Sequence, residues 1–245
     1  MTPKERRPSA SRPPPANDLL AALPADDYAR LAPTLADTAL EIKRFLHKPG
    51  EPIDQVYFPG GGFASVVTAL KDGGMVEVAT IGREGMLGMS AILNGDPSPA
   101  AVMVQAEIDV CYTMSAKAFR QEMDRRGAFY DLLTRYGQAL VGVVMQSTAC
   151  NAVHSVEQRL SRWLLLAHDR VGKDDFPLTQ EFAAMMLGTS RPTVTVVAGT
   201  LQKAGLIKYH RGHVTIVDRK NLEAASCECY QTATDLLKAV TRRRS

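Results

Sequence analysis

The polar and cationic side chains best suited to gripping a polyanion lie between Thr179 and His213. Thr179, Gln180, Ser190, Thr193 and Thr195 offer hydroxyls and an amide. Arg191, Lys203, Arg211 and His213 offer cationic or protonatable groups. Such groups contact phosphate oxygens, which positions a protein on a duplex without reading its sequence. Arg191 can also reach O6 and N7 of guanine, and Pro192 and Val196 can touch thymine methyls. The chemistry implied is therefore backbone gripping by Thr179, Ser190 and Thr193, base reading by Arg191, and further backbone contacts from Arg211 and His213.

Those groups need a scaffold. Thr179 precedes a helix over 180–186 and is placed to cap it, since its hydroxyl can accept a free backbone N–H. Phe182, Met185 and Met186 recur at the spacing of one buried helical face. Gly188 ends that helix. Ser190 caps the next, with Pro192 in its first turn, where a missing N–H costs nothing. Val194, Val197, Leu201 and Leu206 form its predicted inner face, and Gly205 closes it. Strands 207–210 and 213–217 then pair across Arg211-Gly212. The layout is a winged helix-turn-helix. The competing reading is two ordinary helices of a globular core, in which outward hydroxyls at Thr189-Ser190-Arg191-Pro192-Thr193 would be unusual.

Upstream, short strands are expected at 40–46, 55–58, 63–70, 75–81, 101–106 and 108–114. Turns rich in Gly, Pro and Asn separate them. Many short strands so punctuated suggest a barrel or roll. Ser115 can cap a helix reaching Met123. A long helix is expected from 129 to 151, in which Phe129, Leu133, Tyr136, Leu140, Val143 and Ser147 step by the heptad spacing of a coiled-coil seam. Packing of that helix on its own domain is the alternative. Gly142 and Ser147 would allow a close helix neighbour. Residues 152–155 read as a hinge and 156–171 as an amphipathic helix burying Leu160, Trp163, Leu164 and Ala167. Residues 172–175 read as a polar loop.

The chain of 245 residues is 45% hydrophobic and 22% charged, which suits one large or two ordinary globular domains. Residues 151–245 hold 14 Lys and Arg against 9 Asp and Glu, whereas residues 1–150 hold 15 against 17. A basic C-terminal part beside an acidic N-terminal part suits a polyanion-binding module joined to a different one. Residues 1–17, rich in Pro, Ser and Arg, are expected to be disordered, and Arg242, Arg243 and Arg244 to form a frayed basic tail. No secretion signal or membrane span is legible, so the expected compartment is the cytoplasm, with no membrane partner. Cys111, Cys150, Cys227 and Cys229 are the thiols. A C-x-C pair on a helix points its side chains apart, and His47, His154 and His168 show no ligand spacing, so no metal and no cofactor is expected, although a site joining Cys227 and Cys229 to His210 and His213 is conceivable. No Walker loop, G-x-S-x-G, H-E-x-x-H or dinucleotide fingerprint is present, so no enzyme activity is expected.

The stretch LTQEFAAMMLGTSRPTVTVVAGTLQKAGLI, with the wing after it and the strands and long helix before it, resembles the Crp/Fnr family of bacterial transcription regulators over residues 18–230. The resemblance implies an α+β chain. Residues 1–17 would be a tail, 18–126 a jelly-roll sensor domain like those that bind cyclic nucleotides, 127–152 a dimerisation helix, 153–230 the winged helix-turn-helix, and 231–245 a helix end and tail. It also implies a homodimer, joined through the heptad seam, that binds palindromic double-stranded DNA and has RNA polymerase as a further partner. The implied nucleotide cassette, IGREGMLGMSAILNGDPSPAAVMVQA, retains Gly82 and Gly85, with Arg83 and Glu84 beside them. It places Ala100 and Ala101 where a phosphate-binding Arg and its neighbour belong, and Met86 where the ribose-binding Glu belongs. A buried phosphate lacking a cation is costly to desolvate, so these residues imply a different effector, or none. The family's iron–sulfur members carry N-terminal cysteines that are absent here. The well-known cyclic-AMP-responsive member has other residues at Pro192 and Val196, so its operator need not be shared. The alternative function is a ligand-binding sensor whose winged domain makes protein contacts.

Overall fold

The computed structural model describes residues 14–71, 74–93 and 97–242. Two antiparallel sheets form the N-terminal roll. One has the order β1 (Ala36–Leu40), β7 (Ile108–Ser115), β3 (Gln55–Pro59). The other runs β2 (Phe45–His47), β6 (Ala101–Ala106), β4 (Phe63–Ala69), β5 (Met75–Ile81). The sequence suggests one strand over 40–46. The chain instead turns there, because Lys43 takes a left-handed φ of 68° within the exposed stretch Glu41–Arg44. The Lys43 N–H donates to Val104 O at 2.8 Å.

Two short helices, α1 (Asp18–Ala21) and α2 (Ala25–Leu31), lead into the roll. Asn17, expected in the disordered tail, is instead fully buried. Its side-chain oxygen caps α1, and its amide donates to Pro59 O, Arg83 O and Gly85 O. The amide oxygen accepts two N–H groups and the two amide hydrogens are shared among the three carbonyls, so every polar atom of this buried side chain is satisfied. The disorder expected over residues 1–13 lies outside the described residues, as do Arg243 and Arg244.

Helix α3 (Ala116–Asp124), capped by Ser115, leads to the long α4 (Ala128–Val153). The expected seam residues are all buried inside their own chain. Phe129, Leu133, Tyr136, Leu140 and Val143 pack in the cluster that fills the roll. Tyr136 donates its hydroxyl to Met86 O at 3.0 Å. Ser147 is 8% exposed. A last helix, α9 (Cys229–Thr241), returns along α4, and Ala233, Leu237 and Val240 join the same cluster. A Cβ on Gly142 would stand 3.2 Å from Leu236 Cδ1, so that glycine admits α9. The seam is therefore used within the protomer, which corrects its assignment to a dimer interface. The heptad spacing identified a buried face but could not say which element buries it.

Helix α5 (Val156–Val171) opens the C-terminal module with a reciprocal cap between Ser155 and Gln158. The expected polar loop is partly a strand, β8 (Asp175–Pro177), which pairs with the wing because Phe176 is buried opposite Val214. The wing is thus a three-stranded sheet of order β8-β10-β9, with β9 at Ile207–His210 and β10 at His213–Ile216. Helices α6 (Gln180–Leu187), α7 (Arg191–Lys203) and α8 (Arg219–Ala225) complete the module. Among the described residues no helix is long and apolar enough to cross a membrane.

Candidate nucleic-acid interface

The turn between α6 and α7 forms as the local residues require. Thr179 Oγ1 accepts the Phe182 N–H at 3.1 Å, and Gly188 closes α6 at φ 58°. The inner face of α6 is Ala183, Ala184, Met186 and Leu187, with Phe182 and Met185 half-buried. Helices α7 and α5 both pack against this face of α6. Ser190 Oγ accepts the Thr193 N–H at 3.3 Å and lies 2.8 Å from Thr193 Oγ1. Val194, Ala198 and Leu201 face inward, while Val197 is only half-buried.

The opposite face of α7 is open. Arg191, Pro192, Thr195 and Val196 are exposed, Val196 at 70%. Thr195 donates to Gln180 Oε1 at 2.6 Å, which ties the start of α6 to the middle of α7. Arg191, Thr195, Gln202, Thr179 and Gln180 line a groove whose far wall is Arg211 and Gly212 of the wing. Arg211 and Gly212 both have positive φ, 47° and 81°, as a two-residue primed hairpin turn requires. His213, beside that turn, has Nδ1 3.0 Å from Asp175 Oδ1. Hydrogen bonds from Thr215 and His213 hold the Asp175 carboxyl below the usual range. Lys203 is exposed at the far end of α7. Of the expected contact residues, Ser190 and Thr193 are partly engaged in capping. Arg191, Pro192, Val196, Lys203 and Arg211 have free outer faces.

The expected ligand cassette is arranged differently. Arg83 and Glu84 do not pair with each other. Arg83 donates to Asp18 Oδ1 at 2.8 Å. Glu84 accepts from Arg170 Nη2 at 2.7 Å and from Nε at 2.9 Å, reaching across to α5. A Cβ on Gly82 would meet Arg170 Cγ at 2.8 Å, and one on Gly85 would meet Tyr136 Oη at 2.6 Å. These glycines therefore allow close approach of this chain's own side chains. Ala100 is half-buried, and Ala101 is buried in the cluster shared with Trp163 and Leu164. Sequence reasoning could not find Arg170, because its partners Glu84 and Thr80 lie 86 and 90 residues away.

Two family models match the chain. One is the cyclic nucleotide-binding domain, over residues 39–126, and the other the Crp-like helix-turn-helix domain, over residues 158–225. Together they take in well over half of the sequence. The chain belongs to the Crp/Fnr family. Solved structures agree in fold. A Crp/Fnr-family regulator from Eubacterium rectale is 19% identical with a TM-score of 0.63, covering 86% of this chain and 98% of that one. The CRP-family regulator TTHB099 from Thermus thermophilus is 21% identical with a TM-score of 0.63, covering 77% and 96%. FixK2 from Bradyrhizobium japonicum is 13% identical with a TM-score of 0.61, covering 79% and 98%. No match was found among curated proteins. This Crp/Fnr member thus joins a cyclic nucleotide-binding-type roll to a DNA-binding winged helix-turn-helix.

Proposed function

We propose that this Crp/Fnr protein is a homodimeric, sequence-specific transcription regulator that lays α7 in the major groove of a palindromic operator. The observation that carries this reading is the exposed start of α7, where Arg191, Pro192 and Val196 stand free beside the Arg211 turn of the wing, with the exposed Thr195 tied to Gln180 among them. Thr179, Gln180, Ser190 and Thr193 lie at the helix starts, where phosphate oxygens meet backbone N–H groups. Lys203 and His213 extend the grip at either end. A symmetric dimer presents two such helices about 34 Å apart, one turn of duplex.

The proposed dimer face is the outer side of α4. Gln138, Val141, Met145, Thr148 and Ala152 are exposed and repeat at heptad spacing. Val141 is 49% and Met145 67% exposed, unusual for such side chains without a partner. The cassette supports no cyclic-nucleotide phosphate site, since Ala100 and Ala101 offer no cation and Arg83 is committed to Asp18. Any effector acts by favouring one arrangement of the two modules.

The test is footprinting on genomic DNA, followed by affinity measurements on the recovered site. Arg191→Ala is expected to weaken specific binding by about tenfold or more, the worth of one good bidentate base contact. It should leave the steep salt dependence largely in place, because that slope counts phosphate contacts. An unchanged footprint and affinity would remove Arg191 from the reading set, and a flat salt dependence would remove DNA as the partner.

A further inference from the structure

Cys150, His154, Cys227 and Cys229 come from two places far apart in sequence, yet their donor atoms all lie within 4.8 Å of one another. Cys150 sits in the last turn of α4, and His154 is the residue that ends that helix. Their i, i+4 spacing puts both on one face. Cys227 lies in the link after α8, and Cys229 is the first residue of α9. Because Cys227 is outside the helix, the two thiols of this C-x-C pair converge. That removes the objection that a helical C-x-C would splay them apart. His210 and His213, in the wing, take no part in the cluster.

The geometry points to a four-coordinate zinc site of Cys3His type, which we propose as a clamp on the root of the DNA-binding module. A zinc ion with Zn–S near 2.3 Å and Zn–N of about 2.0–2.1 Å sets tetrahedral ligand atoms roughly 3.5–3.8 Å apart. Here Cys150 Sγ and Cys227 Sγ are 3.6 Å apart, and Cys229 Sγ and His154 Nδ1 are 3.5 Å apart. The three sulfurs are buried, at 0%, 4% and 0% exposure, and form a cluster of their own. Neighbouring groups suit the ion. His154 Nε2 lies 3.4 Å from Glu228 Oε1, a carboxylate that would hold the proton on Nε2 and leave the Nδ1 lone pair for the metal. Gln146 Nε2 donates to Cys229 Sγ at 3.1 Å, which suits a thiolate. Four protein ligands leave no open position, so the site is structural or regulatory and holds no reactive water. Cys111 makes the contrast. It is alone in β7, and burial pushes its thiol up to about 12, the setting of an inert core cysteine.

The placement gives the clamp its role. One ligand pair stands just before α5 and the other just after α8, so the ion closes the chain around residues 156–225. It thereby fixes how the module leaves α4. Control of α7 by this ion rests on the DNA-binding reading; the metal site does not, because its test uses no DNA.

The full-length chain, purified under reducing conditions, should hold one zinc ion per chain. Cobalt in its place should show the intense absorption and thiolate charge-transfer band of a tetrahedral site. Cys227→Ser should abolish the band, and Cys111→Ser should leave it unchanged. Glu228→Gln touches no ligand atom and keeps the fold. It should weaken zinc binding by about 10–100-fold, the usual effect of losing a partner behind a ligand histidine. Zinc should slow amide exchange in residues 150–156 and 226–230. Absence of the tetrahedral cobalt spectrum, zinc affinity unaltered in both Cys227→Ser and Glu228→Gln, or exchange indifferent to zinc would each overturn the proposal. So would a Cys150–Cys227 disulfide in a chain that takes up no metal.

Discussion

At the scale of single residues, capping hydroxyls serve their own turn of chain, whereas a buried carboxyl is held from a distant helix. Thr179, Ser190 and Ser115 act within three residues of themselves, so hydroxyl position is enough to place their caps. Glu77 is the opposite case. Its strand was readable, but its partner Trp163 is 86 residues away. The Ser65 hydroxyl and the Trp163 Nε1–H, at 3.0 Å, both donate to its buried carboxylate. Burial pushes the carboxyl above its ordinary value of 4.5, and hydrogen bonds from Ser65 and Trp163, with the Arg162 and Arg170 charges, offset only part of that. The folded chain therefore keeps a proton that the unfolded chain releases. Its contribution to stability is steady below pH 4.5 and declines as pH rises through the folded value. Glu77→Gln keeps the shape without the titration. Urea unfolding at pH 5 and pH 8 should show a smaller loss of stability in the variant than in the native chain. Equal losses would show that Glu77 ionises freely in the folded state.

At the scale of elements, the helix boundaries of the C-terminal module follow from caps and glycines, and α5 forms over the expected 156–171. The faces were harder. A heptad pattern marks a stripe suited to burial, and α4 carries two of them, one buried and one exposed. The inner one, through Leu133, Tyr136 and Leu140, is covered by the roll and by α9. The sequence shows only the end of α9, because its packing partner α4 lies far upstream in the chain. The outer stripe is faint in the sequence because Gln138 and Thr148 dilute it. The two faces should respond differently to charge. Val141→Glu with Met145→Glu puts carboxylates on exposed positions, so the protomer should fold normally. Two such pairs facing each other across a symmetric interface repel and must be desolvated, which costs several kcal/mol. On the proposed dimer, sedimentation should show a dimer for the native chain and a monomer for the double variant, with affinity for a palindromic site falling toward that of a half-site. Leu140→Glu, on the inner stripe, should instead unfold the chain. A double variant that still sediments as a dimer would move the interface off α4.

At the scale of the whole molecule, the two modules share a core, and this is the feature least visible in the sequence. Phe63, Val67, Ala101 and Ala106 of the roll pack in one cluster with Trp163, Leu164 and Met186 of the C-terminal module. The Phe63 and Trp163 rings meet edge to face at 6.0 Å. The turns that mark off β4 and β6 in the sequence give no sign that the outer face of these strands is covered by α5 and α6. Arg170, 6% exposed in its side chain, fastens this contact. It donates to Glu84 on the roll, to Thr80 O at 3.2 Å and to Leu166 O at 2.8 Å. Helix α5 is thus held near its end by this ion pair, and near its start by the cysteine–histidine cluster. Removing Arg170 strands the Glu84 carboxylate and the Thr80 carbonyl. A fully buried pair broken in this way costs about 3–5 kcal/mol. Glu84 retains 22% exposure, so solvent recovers part of that and about 2–3 kcal/mol is the expected loss. The loss falls on the contact between modules and leaves each module's own core intact. Arg170→Ala should therefore split a single calorimetric transition into two and expose the link at 154–156 to protease. Arg170→Lys keeps one charge–charge contact and should lie between. A single, merely shifted transition in Arg170→Ala, with the link still protected, would mean that the apolar cluster alone holds the modules together and that the ion pair only orients them.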